Sequence, residues 1–185
     1  MMRISIVVAA AVMASSCTRP NEGNTEADTA NVAAPKEIGP KAAALPVDAK
    51  GFVAAIASGD AYEIESSKLA LQKSSSPGVR EMAQMLQREH TQSSAKLKSA
   101  AGALSIAVPP ELDAEKQAML DNLKAASGDA FGAEFLNQQR MAHAKTLMLI
   151  QNYQAAGDQE SLKKFASGLQ PMIEFHFDRL NATKK

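Results

Sequence analysis

Three histidines are all that this 185-residue chain contains, and each falls on the apolar stripe of a different helical segment. At 100° per residue, His90 continues the line Val79, Met82, Leu86 and leads to Leu97; His176 continues Leu162, Leu169, Ile173 and leads to Leu180. His143 aligns with Leu136, Leu147 and Ile150, although Gln139 and Arg140 make its stripe less clean. Glu63, within about 20° of Ile56 and Ala70 on a fourth segment, points inward in the same way. Imidazole nitrogens and a carboxylate are metal donors, and three of one with one of the other suit a single Zn, Cu(II) or Fe ion. The competing arrangement is a neutral buried hydrogen-bond network in which the same groups serve packing specificity.

Positioning these side chains requires long helices, and the punctuation supplies them. Asp48 caps a first helix to about Lys73, and Ser76 with Pro77 forms a cap and first-turn pair opening a second, in a region that Pro109 and Pro110 end. A shorter helix from about Glu111 to Ser127 follows. Gly128 with Asp129 is a stop-and-cap pair opening a helix to about Ala156, and Gly157 with Asp158 repeats the device before a last helix ending near Ala182. Helices of roughly 25 residues are near 37 Å long, and turns of a few residues make antiparallel neighbours. The expected fold is all-α: a four-helix bundle of two helical hairpins with a short extra crossover helix. Counted from the two hairpin turns, Glu63, His90, His143 and His176 fall within roughly 10 Å of one another along the bundle axis, so they can converge.

Twenty Lys and Arg balance twenty Asp and Glu, so no long-range field draws nucleic acid, and none is expected as a partner. Residues 1–16 read as an export signal: Arg3, an apolar stretch from Ile4 to Ala14 too short to span a bilayer, then small residues. Ala14-Ser15-Ser16-Cys17 resembles a bacterial lipobox, with Ala14 where Leu is usual, which would make Cys17 the lipidated first residue of the mature protein. Cys17 is the only cysteine, so no disulfide within the chain is possible, and an unpaired thiol in an oxidising compartment needs a reason. An ordinary cleaved signal with an incidental cysteine is the alternative. Residues 17–48 lack periodicity and large apolar side chains, as in a flexible tether, which leaves 49–183 as the bundle domain. Thr18, rather than Asp, after the cysteine resembles lipoproteins sorted to the outer membrane. The expected location is the cell envelope, on an outer membrane and facing the periplasm, with the membrane as partner through the lipid.

Phe52-Val53, Ser58-Gly59-Asp60-Ala61-Tyr62-Glu63, Lys68-Leu69-Ala70-Leu71, Ser75-Ser76-Pro77, Glu89-His90-Thr91, Ala142-His143 and Glu174-Phe175-His176 together resemble a bacterial envelope family, domain of unknown function 4142. The resemblance covers nearly everything from Gly51 to Leu180; it implies a ferritin-like fold and lends no established activity. Glu89 stands where an Asp commonly precedes the His, and Gln170-Pro171 where Leu-Pro is common.

A ferritin-type di-iron centre needs Glu-x-x-His on two helices, and here Gln87, Arg140 and Ile173 stand three before the histidines, which argues against that centre and against oxidase activity. Nine methionines, with Met82 and Met85 one turn apart and Met141 two residues before His143, invite a copper reading, although Met more often fills gaps in cores. Pro171 lies inside the last helix, where it crowds the carbonyl of Ser167, so a bend is expected five residues before His176. No Ser-His-Asp set, phosphate loop, dinucleotide fingerprint or Cys-His zinc spacing occurs. The sequence thus reads as an envelope-anchored bundle, a binding protein more than an enzyme, holding one metal ion in its core for storage, buffering or stress protection. The alternative is a structural or protein-interaction module with a non-metallated His/Glu network, and a metal-dependent redox enzyme is a third. Nothing in the pattern sets an oligomeric state.

Overall fold

The computed structural model describes residues 44–183; the signal segment 1–16, Cys17 and the tether as far as residue 43 lie outside the described residues. Among these there are five helices and no strands: α1 (Ala49–Lys73), α2 (Pro77–Ala103), α3 (Ala114–Ala125), α4 (Gly128–Ala156) and α5 (Glu160–Ala182). The class is all-α, as expected, and none of these helices is long and apolar enough to cross a membrane.

Local chemistry explains where the helices begin. Asp48 caps α1 by accepting from the Gly51 N–H at 2.8 Å. Pro77 opens α2 after Ser76, whose side chain makes no cap bond. The third helix starts later than expected because its cap is Asp113, which accepts from the Lys116 N–H at 2.8 Å through one oxygen and from the Ser58 hydroxyl at 2.7 Å through the other. That second bond ties α3 to α1. Gly128 has φ +56°, yet it lies in the first turn of α4 after Ser127, so Asp129 is not the cap. Gly157 has φ −63° and supplies no left-handed stop. It is needed for space, since a Cβ there would lie 2.7 Å from the Tyr153 ring. Asp158 accepts from the Tyr153 hydroxyl at 2.9 Å instead of capping α5, which Gln159 precedes. Helix α5 continues through Pro171 to Ala182.

Helix α1 packs along α2 and α4 along α5, while α1 meets α4 and α2 meets α5, closing a ring of four. One apolar cluster joins the start of α1 (Phe52, Val53, Ile56) to Leu97, Ile150, Tyr153 and Leu162. A second joins Ala70 to Val79, Leu86, Phe131, Leu136 and Leu180. Because α2 ends beside the first cluster and α4 begins beside the second, the intervening chain must travel the length of the helices, and α3 makes that return against α1 and α4. Between the clusters lies a buried polar layer that includes Asp60, Glu63, His90, Gln139, His143 and His176.

Ahead of α1, Leu45 packs on the first cluster, its carbonyl accepts from Asn152 Nδ2 at 3.3 Å, and the Val47 carbonyl accepts from the Asp158 N–H at 3.1 Å. This stretch, expected to be part of the tether, is held on the helices by those contacts.

Candidate metal centre

The three histidines meet in the polar layer. Their ring centroids are 5.3 to 5.4 Å apart in every pairing, and one nitrogen from each lies within 4.8 Å of the other two. All three rings are buried, His143 and His176 almost completely.

Hydrogen bonding decides which nitrogens face inward. His143 Nδ1 is 2.9 Å from the Gln139 carbonyl, which can only accept, so Nδ1 carries the hydrogen and Nε2 a lone pair. His90 Nδ1 lies 2.8 Å from Asp60 Oδ1, and His176 Nε2 lies 2.8 Å from Glu89 Oε2. Each donates to a carboxylate and keeps its lone pair on the opposite nitrogen. His90 Nε2 has no hydrogen-bond partner, and His143 Nε2 stands 3.3 Å from His176 Nδ1. Two acceptors at that distance repel unless a cation, whether a proton or a metal ion, is shared between them. Tetrahedral coordination at metal–nitrogen distances of about 2.0–2.1 Å separates ligand nitrogens by roughly 3.3–3.4 Å, so this pair already has the right spacing. Tying the far ring nitrogen to an oxygen acceptor is also how metal-binding imidazoles are held in orientation.

Glu63 borders the same cavity, but to one side. Its Oε1 is 3.6 Å from His143 Nδ1 and its Oε2 has no partner, while the tight group consists of the three imidazoles. The cavity beside them, lined by His90, His143, Asp60 and Glu63 among others, is about 10 Å³, on the scale of a single water-sized probe. It has room for an ion and none for an organic ligand.

Burial pushes the Glu63 carboxyl up to about 7, against the lowering influence of His90 and Lys116. Burial, reinforced by His90 and His176, drives His143 well below the usual imidazole range, and burial also lowers His176 despite its bond to Glu89. Burial lowers His90 too, but Asp60 and Glu63 outweigh it and hold His90 above its ordinary value. His143 and His176 are therefore neutral, ligand-ready bases, whereas His90 competes for a proton.

These shifts have opposite consequences for the metal-free fold. Glu63 keeps a proton that the unfolded chain releases, so its contribution falls as pH rises from the ordinary carboxyl value of 4.5 to about 7. His143 and His176 resist a proton that the unfolded chain accepts, so theirs falls as pH drops through 6.5. Glu63→Gln should accordingly stabilise the metal-free protein by a margin that widens between acid and mildly alkaline pH, towards about 3 kcal/mol at most. Urea melts across that range measure it, and a margin independent of pH would mean that Glu63 does not titrate there.

The sequence reading placed Glu63, His90, His143 and His176 but missed the groups that orient the rings. Asp60 lies one turn before Glu63 on the same face, a spacing that could have flagged it. Glu89 is adjacent to His90 yet serves His176 on another helix, and nothing in the local pattern indicates that. The two residues that blur the His143 stripe have other tasks: Gln139 donates to Ser66 Oγ at 2.9 Å, and Arg140 donates from Nη2 to the Leu180 carbonyl at 2.8 Å, finishing α5. Among the described residues the methionines take no part, since Met82 sits in the second apolar cluster, Met141 is exposed, and none lines the cavity.

A family model, domain of unknown function (DUF4142), matches residues 33–183. No curated protein matches. Among solved structures, "CopM in the Cu(II)-bound form" is similar at 17% identity and a TM-score of 0.60, covering 73% of this chain and 94% of that one. "CopM in the Ag-bound form (by co-crystallization)" is similar at 18% identity and a TM-score of 0.59, covering 73% of this chain and 93% of that one. At such identities the likeness is one of fold.

Proposed function

We propose that this chain, which belongs to the family of domain of unknown function DUF4142, binds one transition-metal ion through His90, His143 and His176, with Glu63 as a neighbouring carboxylate. The observation that carries this reading is the convergence of three buried imidazoles, one nitrogen of each within 4.8 Å of the other two and each ring tethered at its far nitrogen to an oxygen. Imidazoles without a thioether or thiolate favour Zn(II) or Cu(II) over softer ions. Copper is the ion to test first, because the structures similar in fold bound Cu(II) and silver. The small size of the cavity beside the histidines, about 10 Å³, argues for storage, buffering or protection over turnover, since it holds no more than an ion. In this reading the ring of four helices is a ferritin-like four-helix bundle, and α3 is its crossover element.

Elemental analysis of protein purified from its native envelope tests the proposal. Metal at unit stoichiometry supports it. The second reading, a structural or interaction module with a protonated network, draws on the raised affinity of His90 for a proton, which would sit on Nε2 facing the cavity. Metal-free native protein would favour it.

We also propose, from the lipobox-like run, that Cys17 is acylated and holds the domain to the envelope, in an outer membrane facing the periplasm. Cys17→Ala should then move the protein from the membrane fraction to the soluble periplasmic fraction, because stable anchoring takes more than one acyl chain and all of them depend on that residue. Unchanged membrane association would refute it.

A further inference from the structure

We infer that the ion reaches the histidines through a passage between α1 and α4, across Gly59 and Thr146, with residues 44–46 forming its outer rim. The inference rests on the metal-binding reading of the site.

Two cavities share one wall there. The inner one holds His90 and His143; the outer one, about 210 Å³, is bounded by Ala44, Leu45, Pro46 and Lys116, and Gly59 and Thr146 line both. Gly59 sits within α1, where glycine costs helix stability relative to alanine. Packing does not demand it, since a Cβ built at this position meets no atom within 4 Å. What the absent side chain leaves is a thin wall between the two cavities. The opposite face differs. A cavity of about 250 Å³ beside Glu89 adjoins the inner one only through Leu169, whose full side chain closes that wall.

Oxygen donors mark the proposed route, with Asp113 and Thr146 on the outer cavity and Asp60 and Glu63 on the inner. A hydrated cation can exchange waters for protein oxygens along it. The Lys116 ammonium, 5.3 Å from the centre of the Tyr62 ring, opposes a cation at the outer stage and slows its approach. Among the described residues the rim is held by Leu45 packing on the first apolar cluster, its carbonyl on Asn152 and the neighbouring Val47 carbonyl on the Asp158 N–H, none of them a bond within a helix, so it can lift without unwinding one.

The test is the rate at which the metal-free full chain takes Zn(II) from a chromogenic chelator, and loses it to a stronger one, alongside equilibrium affinity. Gly59→Leu should slow uptake and loss together by about tenfold or more with affinity unchanged, as expected of a blocked passage. Leu45→Ala should speed both, and Gly168→Leu, in the cavity beside Glu89, should change neither. Unaltered rates in Gly59→Leu and Leu45→Ala would overturn the inference, as would slowing confined to Gly168→Leu, which would place the route on the other face. Should Gly59→Leu lose equilibrium binding, its side chain has entered the inner cavity, and Leu45→Ala alone decides: faster exchange supports the passage and unchanged exchange refutes it. Failure of the metal reading is distinct, because the unaltered protein would then show no Zn(II) binding at equilibrium, and the route would fall with it.

Discussion

Adding Cu(II) or Zn(II) to the metal-free protein should raise its melting temperature by roughly 10 °C at a hundredfold excess over the dissociation constant, because a ligand bound only by the folded state stabilises it by mass action. His90→Ala, His143→Ala and His176→Ala should each abolish most of that rise, since each removes one of three converging nitrogens. His143→Ala is the decisive variant. Its Nε2 is half of the pair spaced at 3.3 Å, so a full shift surviving in it would leave only two imidazoles and no account of that spacing. The metal-free His143→Ala protein should lose little stability beyond the volume of the ring, because the substitution also removes a repulsion between two acceptors. Lowering the pH should weaken binding, as protons occupy the nitrogens that the ion needs. A melting temperature indifferent to every divalent metal would leave the protonated network as the better description.

Phe52→Ala should be the most damaging substitution away from the site. Phe52 is fully buried, stacked on Tyr153 at a centroid distance of 4.0 Å and edge-on to Phe165 at 6.5 Å. It therefore joins α1, α4 and α5 in one contact. Truncating it removes a large apolar surface and leaves a cavity that rigid helices fill poorly, at a cost of about 3–5 kcal/mol. Denaturant melts should show a lower midpoint with an unchanged slope. The metal-induced rise should persist in this variant, since Phe52 belongs to the first apolar cluster and not to the polar layer. Loss of both stability and metal response would mean that the two regions are coupled more tightly than their separation implies.

How much of this was legible beforehand follows from the range of each interaction. Caps and periodicity act within a few residues, so Asp48, Pro77 and the inward aim of Glu63, His90 and His176 could be read directly. The start of α3 could not, because Asp113 is fixed partly by Ser58, 55 residues earlier in the chain. His143 looked doubtful for a related reason. Gln139 and Arg140 beside it are polar because they serve Ser66 on α1 and the end of α5, partners that appear only once helices are set side by side. Glu89 was missed as a ring anchor on the same ground, and although the spacing of Asp60 from Glu63 shows its inward aim, it does not show which ring Asp60 serves: the relative height of two helices is set by packing, and a single-helix stripe carries no record of it. Gly157 was recognised as a boundary but for the wrong cause, since its role is clearance for Tyr153 and not a left-handed turn.

The polar layer lies between two apolar clusters at opposite ends of the same four helices, with a third, smaller one (Tyr62, Leu120, Ala142) joining α1, α3 and α4 beside it. Apolar burial is what makes a helix bundle melt as one unit, and here it is interrupted at mid-height by groups that repel in the absence of a shared cation. Each end of the metal-free molecule can therefore open with less penalty to the other, as in a rod with a soft waist. Amide hydrogen exchange around Phe52 and around Leu86 should then follow separate opening energies, and an ion at the three imidazoles should bring them to a common value.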